Sequence, residues 1–171
     1  MKKLLLVCCL VWMPMLAAAA PVEGERLPTV VLEGGRLDGR PWSSEELMGR
    51  VFVLSYVDPD HGDLNETAGL ALEREGWPSE RYGSVAILNM RATWIPESFV
   101  DPVLNSKQEQ FPRTVYLKDQ AKVLVQAWGL ADNASSLLAI GPDGRLLFHK
   151  SGKLSDADLA RLIRTIRDHL P

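Results

Sequence analysis

Beyond residue 9 this chain has no cysteine: among its 171 residues only Cys8 and Cys9 carry a thiol. Thiol–disulfide exchange requires a thiolate that attacks sulfur, so a chain that sheds these two residues can neither perform it nor form a disulfide. Such a chain must be stable through its core alone, and about 150 residues are enough for that. Basic charge is also scarce. Lys and Arg number 19 against 22 Asp and Glu, a formal net charge of −3. That balance excludes nucleic acid or an anionic membrane surface as a main partner, since both call for a basic footprint. Only three histidines are present, His61, His149 and His169. The chain also lacks internal repeats, low-complexity tracts and any second long apolar run.

The one long apolar run lies at the start. Lys2 and Lys3 precede the apolar stretch Leu4 to Leu16, and Ala17-Ala18-Ala19-Ala20 follows. A short positive region, a compact apolar region and small residues are the pattern of a cleavable secretory signal peptide over residues 1–20, with cleavage after Ala19 or Ala20. The run falls short of the roughly 18–20 apolar residues that a membrane span needs. Neither Val7 nor Cys8 is the small residue expected before a lipidated cysteine. A periplasmic product without stable membrane insertion is therefore expected, with residues 21–171 as a single domain. Loss of Lys2 and Lys3 leaves 17 basic residues against 22 acidic ones, a net charge of −5.

The remainder alternates strand and helix signals. Thr29 to Leu32 reads as a strand, and Ser43 to Glu46 as a capping box opening a short helix that Gly49 ends. Val51 to Tyr56 is almost wholly apolar, as a strand covered on both faces should be. Leu64, Ala68, Ala71 and Leu72 recur at helical spacing before Gly76. Ser84 to Asn89 is a second buried strand, Glu97 to Gln110 a helix, Arg113 to Leu117 a strand and Lys122 to Trp128 a short helix. Ser136 to Ile140 and Arg145 to His149 flank Gly141-Pro142-Asp143-Gly144, a hairpin with strong turn chemistry. Ser155 caps a last helix whose stripe runs Leu159, Leu162, Ile163, Ile166, Leu170. This order predicts an α/β fold: a thioredoxin-like mixed central sheet with helices on both faces and an N-terminal β extension.

Particular stretches carry a resemblance. Arg40-Pro41-Trp42-Ser43 with Gly49-Arg50-Val51-Phe52-Val53-Leu54 is similar to the start of exported thioredoxin-like and peroxiredoxin-like proteins. Arg81-Tyr82-Gly83-Ser84-Val85-Ala86-Ile87-Leu88-Asn89, Ser106-Lys107-Gln108 with Phe111-Pro112, and Ala127-Trp128-Gly129-Leu130 with Ser135-Ser136 resemble the YtfJ family of periplasmic proteins over nearly the whole length. That family implies a thioredoxin-like fold, export and no established molecular activity. Where redox relatives carry Cys-x-x-Cys, this chain runs Asp58-Pro59-Asp60-His61-Gly62-Asp63-Leu64, with His61 and Leu64 at the cysteine positions. Asn133-Ala134-Ser135 occupies the neighbourhood of the groove proline.

The Asp58 to Asp63 loop is the most chemically loaded segment. Asp58, Asp60 and Asp63 offer oxygen ligands and His61 an imidazole, but the twelve-residue calcium pattern is absent and a transition metal would want a second His or a Cys. The plain alternative is that Asp60 or Asp63 caps the following helix. Arg91 and Trp94 follow a strand where ligands gather in α/β folds, and could line a groove; core or loop packing of the indole is the competing reading. No nucleophile is marked, so no catalytic residue, cofactor or committed metal site is expected. Two functions remain: a non-redox module binding a periplasmic protein, peptide or small ligand, or a metal-binding or hydrolytic enzyme centred on the loop.

Overall fold

The computed structural model describes residues 19–171; the expected leader lies outside the described residues except for Ala19 and Ala20. A small antiparallel pair, β1 (Val31–Leu32) and β2 (Trp42–Ser43), precedes a five-stranded sheet. That sheet comprises β3 (Val51–Val57), β4 (Tyr82–Asn89), β5 (Thr114–Asp119), β6 (Ser136–Ile140) and β7 (Leu146–Ser151), in the order β5-β4-β3-β6-β7. β3 runs parallel to β4, and β4 to β5, whereas β6 is antiparallel to both β3 and β7. The helices are α1 (Glu66–Arg74), α2 (Glu97–Gln110), α3 (Val123–Trp128) and α4 (Asp156–His169). This is the mixed thioredoxin-like sheet with a β extension that the element order predicts. None of the helices described is long and apolar enough to cross a membrane.

Local chemistry sets the boundaries. The capping box at Ser43 forms, with the Ser43 hydroxyl accepting from the Glu45 N–H at 3.2 Å and the Glu46 carboxylate from the Ser43 N–H at 3.3 Å. It starts a 3-10 turn over Ser44–Leu47 rather than a full helix. α4 opens on a second box between Ser155 and Asp158, and its Leu162 and Ile166 are fully buried, as the apolar stripe requires. The first strand is shorter than Thr29 to Leu32 because the Val30 N–H is taken by the Ser44 hydroxyl, at 2.9 Å, instead of by a neighbouring strand.

Register decides what each face of the sheet holds. Side chains alternate along a strand, so paired positions share a face. Phe52, Leu54 and Tyr56 stand with Val85, Ile87, Leu117, Leu138 and Ile140 on one face. The β1–β2 pair and α3 close it with Leu32, Trp42, Leu124 and Trp128, the indole N–H of Trp128 donating to the Pro28 carbonyl at 2.8 Å. Packing here is tight enough that a Cβ at Gly83 would meet the Phe52 ring at 2.3 Å. The opposite face carries Val51, Val53 and Ser55 beside Ser84, Ala86 and Leu88. It is covered by α1, α2 and α4, with separate apolar clusters at each end.

Candidate functional site

The Asp58 to Asp63 loop leaves the carboxyl end of β3 as a 3-10 turn over Pro59–His61. Asp58 is only 3 % exposed. One carboxylate oxygen accepts the Asp60 N–H at 3.0 Å and the other lies 3.1 Å from His61 Nδ1. Asp58 thus caps its own turn and orients an imidazole whose side chain is 59 % exposed. The Asp60 carboxylate turns elsewhere and accepts the Thr93 hydroxyl at 2.7 Å; Thr93 in turn accepts the Ile95 N–H. Asp63 is exposed, and its backbone carbonyl accepts the Glu66 N–H at 3.0 Å.

These contacts correct one expectation. Neither Asp60 nor Asp63 caps α1; its N-cap is Asn65, whose side chain instead donates to the Gly152 carbonyl and accepts the Leu154 N–H. The physical reason is competition, since each acid has a closer partner or faces water. Nor do the acids converge. Among the described residues no three His, Asp or Glu side chains gather where they could hold a metal ion. The Asn133 to Ser135 segment does abut the loop, with the Ser135 hydroxyl 3.4 Å from the His61 carbonyl oxygen. Among the described residues the hydrogen-bond partner of the His61 ring is the Asp58 carboxylate, and no hydroxyl hydrogen-bonds to it.

Arg91 is exposed, and its N–H is held by the Asn89 side chain at 3.2 Å. Trp94 is 86 % exposed, against the packing reading, whereas Trp42, Trp77 and Trp128 are buried. The Thr93–Asp60 bond places the loop bearing Arg91 and Trp94 against the loop bearing His61.

Beneath these loops lies a polar layer that sequence patterns do not reveal. Asp119, fully buried, accepts the N–H groups of Ala121, Val123 and Leu124 and the Tyr56 hydroxyl. It anchors the start of α3, and burial, with Asp119 next to it, raises the Tyr56 hydroxyl far above its ordinary value. Asn89 donates to the Asp132 carboxylate at 3.0 Å, and Lys122 pairs with that carboxylate at 2.5 Å. The Lys122 bond holds the Asp132 carboxyl below its usual range. Every group here is committed to another, which marks the layer as scaffold.

A cleft of about 700 Å³ opens on the other face of the sheet, between α1 and α2. Its floor is Val53 and Ser55 of β3 with Ser84 and Ala86 of β4; Leu72 and Leu104 form part of its walls. Its lips are apolar yet exposed: Leu70 on α1, and Phe99 (69 %) and Val103 (57 %) on α2. Asp63, Gly62 and Ser135 reach its upper rim, so it begins where the loop ends. The sequence offered one signal, the i, i+4 pair Phe99 and Val103 on a helix whose buried stripe is Val100 and Leu104.

Comparisons with known proteins agree with this fold. The model of the family described as "Bacterial protein of unknown function (YtfJ_HI0045)" matches residues 17–169. The chain belongs to the YtfJ family. It is 28 % identical to the uncharacterized protein YtfJ of Escherichia coli K12 over 176 residues, covering 95 % of each chain. An uncharacterized protein of Haemophilus influenzae is 25 % identical over 140 residues, 80 % of this chain and 76 % of that one. Among solved structures, a thioredoxin-family thiol:disulfide interchange protein of Chlorobium tepidum superposes with a TM-score of 0.58 at 18 % identity, over 91 % of this chain and 100 % of that one. An exposed lipoprotein thioredoxin of Streptococcus pneumoniae gives 0.56 at 14 %, over 82 % and 99 %. The likeness establishes a thioredoxin-like fold, and this YtfJ-family chain carries it without a cysteine after residue 9.

Proposed function

We propose that this YtfJ-family protein is an exported, non-redox binding module whose ligand site is the cleft between α1 and α2. The cleft itself is the observation that carries the reading. The cleft is open to solvent, so its space holds water or a ligand, and its exposed apolar lips, Leu70, Phe99 and Val103, favour a ligand. The loop chemistry points the same way: His61 meets one carboxylate rather than two, and the acids disperse beside an apolar groove. The test is titration with the neutral apolar fluorophore N-phenyl-1-naphthylamine. Wild-type protein is expected to enhance its emission saturably, and Ala86→Phe, which projects a ring from the floor, to abolish this. An unresponsive wild type sinks the proposal.

Export rests on the sequence of residues 1–20. Periplasmic material is expected to begin at Ala20 or Pro21; an intact Met1 would refute it. The hydrolytic alternative keeps one supporting observation, the Asp58–His61 pair, which can position an imidazole as a general base.

A further inference from the structure

We infer that the cleft takes a single alkyl chain bearing an anionic head, and that Lys107 on α2 reads the head; this rests on the cleft being the ligand site. The floor argues for an alkyl chain over a peptide. β3 and β4 are interior strands, each paired on both sides, so the floor presents no free backbone edge. An extended peptide laid there would bring N–H and C=O groups that find no backbone partner, a costly arrangement in an apolar slot. The short side chains of Ser55, Ser84 and Ala86 leave depth for methylene groups, with the two serine hydroxyls as small polar groups on the floor. Val53, Leu72 and Leu104 supply apolar contact.

The head is assigned by Lys107, which lines the same cleft. Its ammonium lies 3.8 Å from the Glu66 carboxylate on α1 and 5.7 Å from the centre of the Phe111 ring. The first distance is too long for a hydrogen bond, so this ion pair between the helices across the cleft is loose. Lys118 and Lys122 differ, each meeting a carboxylate at 2.5 Å. Exposed pairs of this kind contribute little, so a ligand carboxylate or phosphate can replace Glu66 as the partner of Lys107. Arg50 and Arg113, also on the cleft, add positive charge while donating to the Ser79 and Trp77 carbonyls. Asp63, Glu66 and Glu73 line it too, and would disfavour a second acidic group on the ligand.

The experiment is displacement of N-phenyl-1-naphthylamine from the full mature chain by dodecanoate, dodecyl phosphate, dodecylamine and dodecanol. Dodecanoate or dodecyl phosphate is expected to compete best, and their ratio separates a carboxylate from a phosphate head. Lys107→Glu is expected to weaken the preferred anion by roughly tenfold relative to dodecanol, the size of one lost and one repulsive charge contact. Lys107→Gln should lie between. Leu70→Gln, at the exposed lip, should weaken all four compounds together and leaves the core intact should Ala86→Phe misfold. If all four compete equally and Lys107→Glu changes nothing, the head assignment fails while the cleft reading stands. If the fluorophore never binds, both fail. Displacement by a peptide of residues 4–16 but by none of the four alkyl compounds would overturn the alkyl assignment in favour of a peptide ligand.

Discussion

Over β3 and β4 the two faces of the central sheet are built from the same strands and packed by opposite rules. In β4, Val85 and Ile87 are buried against the β1–β2 pair and α3, while the alternating Ser84 and Ala86 look across an open cleft at α1 and α2. In β3, Leu54 and Tyr56 are fully buried and Ser55 between them floors the cleft. A thioredoxin-like sheet needs helices on both faces, but it needs only one face filled to hold its register. The first face supplies that rigidity through Trp42, Trp128 and the Tyr56–Asp119 bond. The second is thereby free to keep small side chains where a core would carry large ones.

The comparison breaks most sharply at Leu54. It has no exposed surface and sits at the centre of the filled face. Leu54→Ala is expected to lower unfolding free energy by about 2–5 kcal/mol, because transfer and cavity costs add where neighbours cannot collapse. Urea denaturation checks this. A loss below about 1 kcal/mol would mean that the filled face is not the stabilising one.

Most of this fold was readable in the residues. Val51 to Tyr56 declares a strand covered on both sides, Gly141 to Gly144 a hairpin turn, and Ser155 with Asp158 a helix start. Glu97–Gln110 has the bounds its sequence suggests. Apart from the Phe99 and Val103 pair the cleft was not readable, for a definite reason. Ser84 and Ala86 are ordinary in a buried strand, and that Ala86 meets Ser55 rather than a large side chain depends on register with β3. The loop was half legible. The Asp58–His61 contact is local, three residues apart, but the fate of Asp60 depends on Thr93, which lies 33 residues on. Trp94 was opaque in the same way, since an indole in a loop gives no sign of whether anything packs on it.

A subtler contrast lies in how the filled face treats a polar group. His149 of β7 is opposite Leu138, and its Nε2 is buried without a hydrogen-bond partner among the described residues. Burial holds its imidazole below the ordinary 6.5, partly opposed by Glu23, which accepts the His149 N–H at 3.0 Å and pairs with Arg161. As pH falls through 6.5, the unfolded chain takes up this proton before the folded one does. The unfolded state then binds more protons, so stability drops on acidification until the folded ring also titrates. Thermal melts from pH 7.5 to 5.5 should show that decline, and His149→Phe should flatten part of it. An unchanged slope in the variant would show that His149 is not the group responsible.

The smallest expected effect separates the faces best. Ala86→Phe adds a ring to the middle of β4, where the open cleft can receive it. Overpacking a filled core costs about 1–3 kcal/mol, as forced rotamers and backbone shifts accumulate. On the cleft side the ring meets space rather than atoms, and its burial against Leu72 and Leu104 offsets lost side-chain freedom. Unfolding free energy is therefore expected to change by less than about 0.5 kcal/mol, within the range of a neutral substitution. A loss of the size that overpacking brings would show that Ala86 faces a filled interior, and the ligand reading would fall with it. A neutral or stabilised variant that no longer binds the fluorophore would show that small side chains on this face serve occupancy rather than packing.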